Sequence, residues 1–356
     1  MRLLHLTLLY CVLNIFSSDL ALEYSPSVPT NILKSLPANP TTTNDLEPGA
    51  TNIIFQSKDG GQTWQDISQS LPEGEQPTGF FAGESEMYLR VKNIMYRSKS
   101  NLKTPVWEKE NVLDPRSTSI AFNPSGVMAY NHEGQVYQKM SSTGNWLPIY
   151  TNFKKHSVET IFETSDGTLF VGCRSGLYKS ADKGQSWKQV QNEGWVMNMV
   201  ESKGVLIGRG QKGIMRSTDN GEHWEWVISE GGVGIAVERI DGGFAAISYS
   251  ASTQSRRIRI SLDSGITWQA IDEKLHPSLS ISSIKQMGNY LICGHPDGIF
   301  RSSDKGKTWN NVLASVDNTF MISVIRNSDL SSDSRKVFKI FVSGNVVYAV
   351  ASNSGC

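Results

Sequence analysis

The chain has 356 residues, with Lys plus Arg and Asp plus Glu each totalling 34. Such a balance supplies no field of one sign to draw in nucleic acid or an anionic membrane, so neither partner is expected. Four cysteines, at 11, 173, 293 and 356, are too few and too widely spaced for a disulfide framework, so stability has to come from an apolar core.

The first residues carry one positive charge at Arg2, an apolar run from Leu3 to Phe16, and then small and polar residues. That order reads as a secretory signal peptide over 1–22. Fourteen helical residues would cover about 21 Å of a ~30 Å hydrocarbon core, which argues against a membrane span. The expected location is therefore secreted or periplasmic, and Cys11 leaves with the signal. Residues 23–49 are rich in Pro, Ser, Thr and Asn without an apolar period and read as a flexible lead.

From residue 50 to 356 the chain repeats. Five octapeptides share Ser-x-Asp-x-Gly-x-(Thr/Ser/His)-Trp, and they end at Trp64, Trp187, Trp224, Trp268 and Trp309. Two worn copies fill the long gap, one from Ser98 to Trp107 with two extra residues and one from Lys139 to Trp146. The seven tryptophans stand 37 to 44 residues apart. Each unit reads as four short strands: in the clearest, Ile281–Lys285, Tyr290–Cys293, Ile299–Ser302 and Trp309–Val312. Four strands in about 40 residues is the size of a propeller blade. Two strands after Trp309 lack their third and fourth partners, which occur at the other end in NIIFQSKDGGQTWQDI. The expected fold is an all-β, seven-bladed propeller of four-stranded blades, its last blade closed by N- and C-terminal strands.

Within the octapeptide, Asp59, Asp182, Asp219, Asp263 and Asp304 are expected to accept amides two residues on, and the glycine to take positive φ. Each following tryptophan buries a large apolar ring, with its N–H seeking a carbonyl. Cys173 and Cys293 lie in apolar strand-like runs and read as small buried hydrophobes.

The octapeptides resemble the Asp-box, or BNR, repeats of the sialidase-like superfamily, and the resemblance covers nearly the whole chain beyond Ala50. That superfamily contains six-bladed sialidases, xyloglucan hydrolases of two seven-bladed propellers, ten-bladed sortilin-type receptors and seven-bladed photosystem II assembly factors. The resemblance implies that the box lies between third and fourth strands, on the face opposite the usual ligand site. Sialidases carry an Arg-Ile-Pro motif, whereas the nearest string here is Leu89-Arg90-Val91-Lys92, without proline.

Function is then sought on loops following the second and fourth strands, around the channel mouth. Candidate ligand residues are His132, Arg174, Trp195, Arg209, Lys212, His295 and Asp297, with Arg174 and Arg209 read as occupying one repeat position in adjacent blades. The guanidiniums and imidazoles suit an anion or sugar, and Trp195 offers a stacking surface. Loops at 114–116, 154–156 and 317 add Asp114, Arg116, Lys154, Lys155, His156 and Asp317, while Glu133, Glu193 and Glu230 add carboxylates. His132, His156 and His295 fall in different blades, which speaks against a zinc site. No catalytic set, cofactor motif or metal site is recognised. The expectation is a monomeric, non-catalytic module holding a protein or glycan partner; the alternatives are a secreted glycoside hydrolase and a lectin.

Overall fold

The computed structural model describes residues 52–72, 77–100, 102–110, 119–149, 157–314 and 336–353. The signal peptide, the lead, Cys11, Cys356 and the loop residues Asp114, Arg116, Lys154, Lys155, His156 and Asp317 lie outside them. The described residues all belong to the unit spanning 47–356.

Seven antiparallel sheets of four strands make up this unit, and each sheet is a blade. We number them along the chain: blade 1 spans 77–110, blade 2 119–149, blade 3 158–191, blade 4 196–228, blade 5 234–270 and blade 6 283–314. Blade 7 joins Lys336–Ser343 and Val346–Asn353 to Ile54–Ser57 and Gln65–Asp66. Its inner and outer halves thus come from opposite ends of the sequence: Ile54 pairs with Val350 and Ser57 with Val347. The expected closure is present, and each blade has its full complement of strands.

Alternation sets the core. The second strands are the most apolar, as in Leu169–Cys173, which is buried throughout, because each is covered by a blade on both faces. Blade-to-blade contact is dominated by such residues, with Ile292, Ile299, Phe338 and Val347 in one cluster and Leu169, Val171 and Cys173 in another. The innermost strand of blade 6 begins at Ser283 rather than Ile281. Ile281 is nonetheless buried, packed with Ile247, Ile258 and Leu291.

The octapeptide is a turn between third and fourth strands. Its leading serine donates to the aspartate and accepts the amide of the glycine, as Ser302 does with Asp304 (2.8 Å) and Gly306 (2.8 Å). The aspartate takes amides three and four residues on, not two: Asp59 accepts from Gln62 (3.0 Å) and Thr63 (2.9 Å). The seventh-position hydroxyl completes the ring of donors, as Thr308 Oγ1 does to Asp304 at 2.6 Å. Two successive residues take positive φ, Lys305 at 59° and Gly306 at 85°. The glycine has a second reason as well. A Cβ on Gly306 would sit 2.5 Å from Ile271 Cδ1 of the preceding blade, and one on Gly221 would meet Phe170 at 2.4 Å.

The turn is therefore also a seam between blades. The residue before the leading serine reaches across to the next turn: Arg301 Nε donates to Gly60 O (2.9 Å) and Arg216 Nε to Ser264 O (2.8 Å). Lys179 Nζ reaches Glu222 (2.6 Å), and Gln56 Nε2 reaches Lys103 O (2.8 Å). Four indoles, of Trp64, Trp187, Trp224 and Trp268, donate to the glycine carbonyl of their own turn at 3.1 Å. Trp309 donates instead to Ile271 O of blade 5, at 2.7 Å. In the worn copies Trp107 Nε1 and Trp146 Nε1 are buried with no hydrogen-bond partner among the described residues.

Candidate functional site

Strand order puts loops 2–3 and 4–1 of each blade on the face opposite these turns. Two of the carboxylates there that the sequence suggests, Glu193 and Glu230, are already engaged. Glu193 accepts from Lys212 Nζ (2.9 Å) and Trp226 Nε1 (2.8 Å), and these bonds hold its carboxyl below the usual range, Trp226 contributing most. Glu230 grips Arg259 Nη2 with both oxygens at 2.7 Å. Arg257 makes a two-point bond to buried Asp272, at 2.9 and 3.0 Å. A general acid for glycoside cleavage needs a raised pKa; Glu193 has the reverse.

His295 stands apart from the other predicted ligand residues. It is fully buried. Its Nε2–H donates to His276 O (2.9 Å), its Nδ1 accepts the Asp297 amide (3.1 Å), and its ring lies edge-on to Phe300. Both nitrogens are spent inside the fold, holding the 276 and 295–297 loops together, so His295 presents nothing to a ligand. Asp297 Oδ2 lies 3.4 Å from His295 Nδ1 and 3.8 Å from His276 Nδ1.

His132 and Arg174 do come together. Arg174 Nε donates to Glu159 at 3.2 Å, Ser157 Oγ donates to the same oxygen at 3.1 Å, and His132 Nδ1 lies 3.0 Å from Ser157 Oγ. Arg174 and His132 remain well exposed, whereas Glu159 is nearly covered. Trp195 is half-buried, and its carbonyl accepts the Gln211 amide (3.1 Å). Lys212, on the same blade, faces Glu193 rather than Arg209.

Register corrects one expectation. Arg209 pairs with Ile214, and its equivalent in blade 3 is Gly172, which pairs with Leu177. Gln211, not Arg209, occupies the place of Arg174. Arg209 shares its register with Tyr130 of blade 2 and Arg90 of blade 1, which pair with Val136 and Met95. It accordingly points elsewhere, across the next blade, where Nη1 meets Gly234 O at 3.4 Å and Met197 Sδ at 3.7 Å.

Two further residues, Glu159 and Lys339, lie beyond the sequence-based set and sit on innermost strands. A charge interrupting an apolar inner strand, as in Phe338-Lys339-Ile340, is the signal that could have marked them. Arg256, in the 249–257 excursion that the sequence also places on this face, lies in the third strand of blade 5 and donates from Nη1 to Ile281 O at 2.9 Å. Burial draws the Arg209 guanidinium down to about 10, with Tyr130 and Glu159 opposing and Arg256 adding. Tyr130, whose hydroxyl donates to Glu159 O (3.2 Å), is pushed up to about 12, chiefly by burial. Among the described residues, no group of three His, Cys, Asp or Glu is placed to hold a metal ion. Cys173 and Cys293 are buried, and burial pushes both thiols up.

The chain matches no protein-family model and no curated protein. Among solved structures, the GH74 xyloglucanase of Xanthomonas campestris aligns with TM-score 0.55 and 14% identity, over 78% of this chain and 53% of that one. An ancestral GH74 enzyme aligns at 0.57 and 14%, over 85% of this chain and 45% of its own. This chain thus spans about half the length of either. YCF48 bound to D1 peptide aligns at 0.53 and 15%, over 86% of this chain and 97% of that one. At such identities the likeness is one of fold, the seven-bladed propeller.

Proposed function

We propose that this chain is an exported, monomeric propeller of the Asp-box type that works as a binding module, holding a protein or glycan partner on its channel-mouth face. The observation that carries this reading is the commitment of three mouth carboxylates: Glu159, Glu193 and Glu230 each pair with a basic side chain, Arg174, Lys212 and Arg259 in turn. Arg174, His132 and Lys212 project to solvent on that face, with Glu193 beside Lys212 and answering its charge. That surface suits recognition of acceptor-rich groups better than acid–base work. The near-complete overlap with YCF48, a single propeller solved with a peptide, supports the same reading. Export is inferred from Arg2 and the apolar run to Phe16.

The test has two arms. Purified protein is expected to leave chromogenic glycosides and sialosides intact; hydrolysis abolished by Glu193→Gln or Asp297→Asn would overturn the proposal. On peptide and glycan arrays, binding by wild type should weaken about tenfold or more when Arg174 and Lys212 are both changed to Glu. Arrays that respond equally to both proteins would move the partner off this face.

A further inference from the structure

Residues of two neighbouring blades meet on the mouth face at the seam of blades 2 and 3. His132 follows the second strand of blade 2, Ser157 precedes the inner strand of blade 3, Glu159 lies on that strand, and Arg174 follows the second strand of the same blade. The Arg174 amide donates to Ser157 O at 3.3 Å and ties its loop to the start of the strand. Glu159 is the covered member, its side chain 10% exposed, whereas those of Arg174 and His132 are 63% and 55% exposed. Two outer groups thus rest on a covered one.

The protons of this cluster are fixed by its bonding. Ser157 has one hydroxyl proton and gives it to Glu159 Oε1 (3.1 Å), since an ionised carboxylate only accepts. His132 Nδ1, 3.0 Å from the same hydroxyl, therefore carries a proton and donates it to Ser157 Oγ. The neutral ring keeps Nε2, at its opposite edge, as a lone-pair acceptor. Arg174 is oriented by the same carboxylate through Nε (3.2 Å), and its Nη groups, like His132 Nε2, have no partner among the described residues. One outer group offers donors and the other an acceptor.

Charge and shape then select the ligand. Glu159 already answers Arg174, so an anionic ligand would face a carboxylate across the guanidinium and gain little attraction for the water it gives up. A sugar ring is best held over an apolar face, but the nearby rings of Tyr130 and Tyr178 pack against the core of blades 2 and 3. An amide is uncharged and carries a carbonyl for the guanidinium and an N–H for the imidazole.

We propose that the His132–Arg174 cluster is a docking site for an uncharged stretch of polypeptide, one amide of which accepts from Arg174 Nη and donates to His132 Nε2. This rests on the mouth face being the binding surface, and it selects the protein partner over the glycan. Ser157 and Glu159 are positioning residues that hold the two outer groups in register.

Arrays of uncharged hexapeptides, acidic hexapeptides and neutral oligosaccharides, probed with the whole chain at pH 8, test this. Wild type should bind uncharged hexapeptides, with an affinity that stays level between about 50 and 500 mM KCl because no net charge is screened. His132→Phe and Arg174→Gln, shown to be folded by their melting curves, should each bind the best of these about tenfold more weakly. Methylating that peptide's backbone nitrogens one at a time should find a position that costs wild type about tenfold and His132→Phe nothing. If replacing an Asn or Gln of the peptide by Leu has that effect instead, the amide belongs to its side chain rather than its main chain. Binding of acidic peptides alone or of oligosaccharides alone overturns the inference and leaves the binding module standing. So does binding of uncharged peptides that is indifferent to His132→Phe. No binding on any of the arrays overturns both.

Discussion

One aspartate in each full turn carries its hydrogen bonding. Asp182, Asp263 and Asp304 are held at about 2, first by the hydroxyl and then by the amide of the seventh residue. Asp219 is lowered too, through the amide and ring of His223, which takes the hydroxyl's place at 2.6 Å. A carboxyl whose pKa is lower folded than unfolded stabilises the fold fully above its unfolded value, near 4, and progressively less as pH falls towards 2. Urea titrations between pH 5 and pH 2 should therefore show a steep loss of stability across that window. Asp304→Asn should be less stable at pH 5 and flatten the slope, whereas an unchanged slope would remove this aspartate from the account. The turn's role was legible in the sequence, since five copies of Asp and Trp repeat at one spacing. Its hydrogen-bond pattern was not, because the amides three and four residues on come within reach only when two successive residues adopt positive φ, and residues such as Lys183 and Asn220 do not announce it.

At the scale of the blade, the worn turn of blade 2 shows what replaces the lost octapeptide. Lys139 stands where serine leads the others, and its ammonium turns away from the turn into the seam with blade 1. There it meets Tyr88 Oη (2.6 Å), Glu110 (3.2 Å) and Glu86 (3.6 Å), under the faces of Tyr88 and Trp146. Arg97 lies 3.4 Å from Glu110 and completes the network. The seam is thereby held by a buried ionic network, where the seams at Arg301 and Arg216 rest on an arginine bonded to a carbonyl of the next turn. Lys139→Met should cost about 3 kcal/mol or more by leaving two covered carboxylates facing each other. Adding Glu110→Gln should recover part of the loss, and chemical denaturation of the double-mutant cycle measures the coupling. Additive losses would show that the network is not a unit.

At the scale of the whole molecule, the sequence's period gave the blade count, and the unpaired strand halves at its two ends gave the closure. The candidate site was only partly legible. Arg174, Arg209, His132 and Lys212 sit on or beside loops, where polar residues draw attention. Lys339 and Glu159 lie on inner strands that read as core, and the channel that lets water reach them exists only once seven blades are assembled. His295 misled for the opposite reason: its loop is on the mouth face, but the carbonyl of His276 closes over it. A chain ending at residue 335 would keep Ile54–Ser57 and Gln65–Asp66 but lose the strands that pair with them. It should form larger species on size exclusion and lose its single cooperative melt, since the ring then has open edges. A monomeric, cooperatively melting product would contradict that dependence on closure.

The pairing of Ile54 with Val350 also sets a timetable. During synthesis the first strands made wait for the last, and six blades stack with an unfinished edge at each end until Val346–Asn353 leaves the ribosome. The slow, entropically costly contact is thus the final one. Until it forms, the chain is an open arc that can be threaded, held by a chaperone or pulled straight; afterwards, straightening it requires the last strands to peel away first.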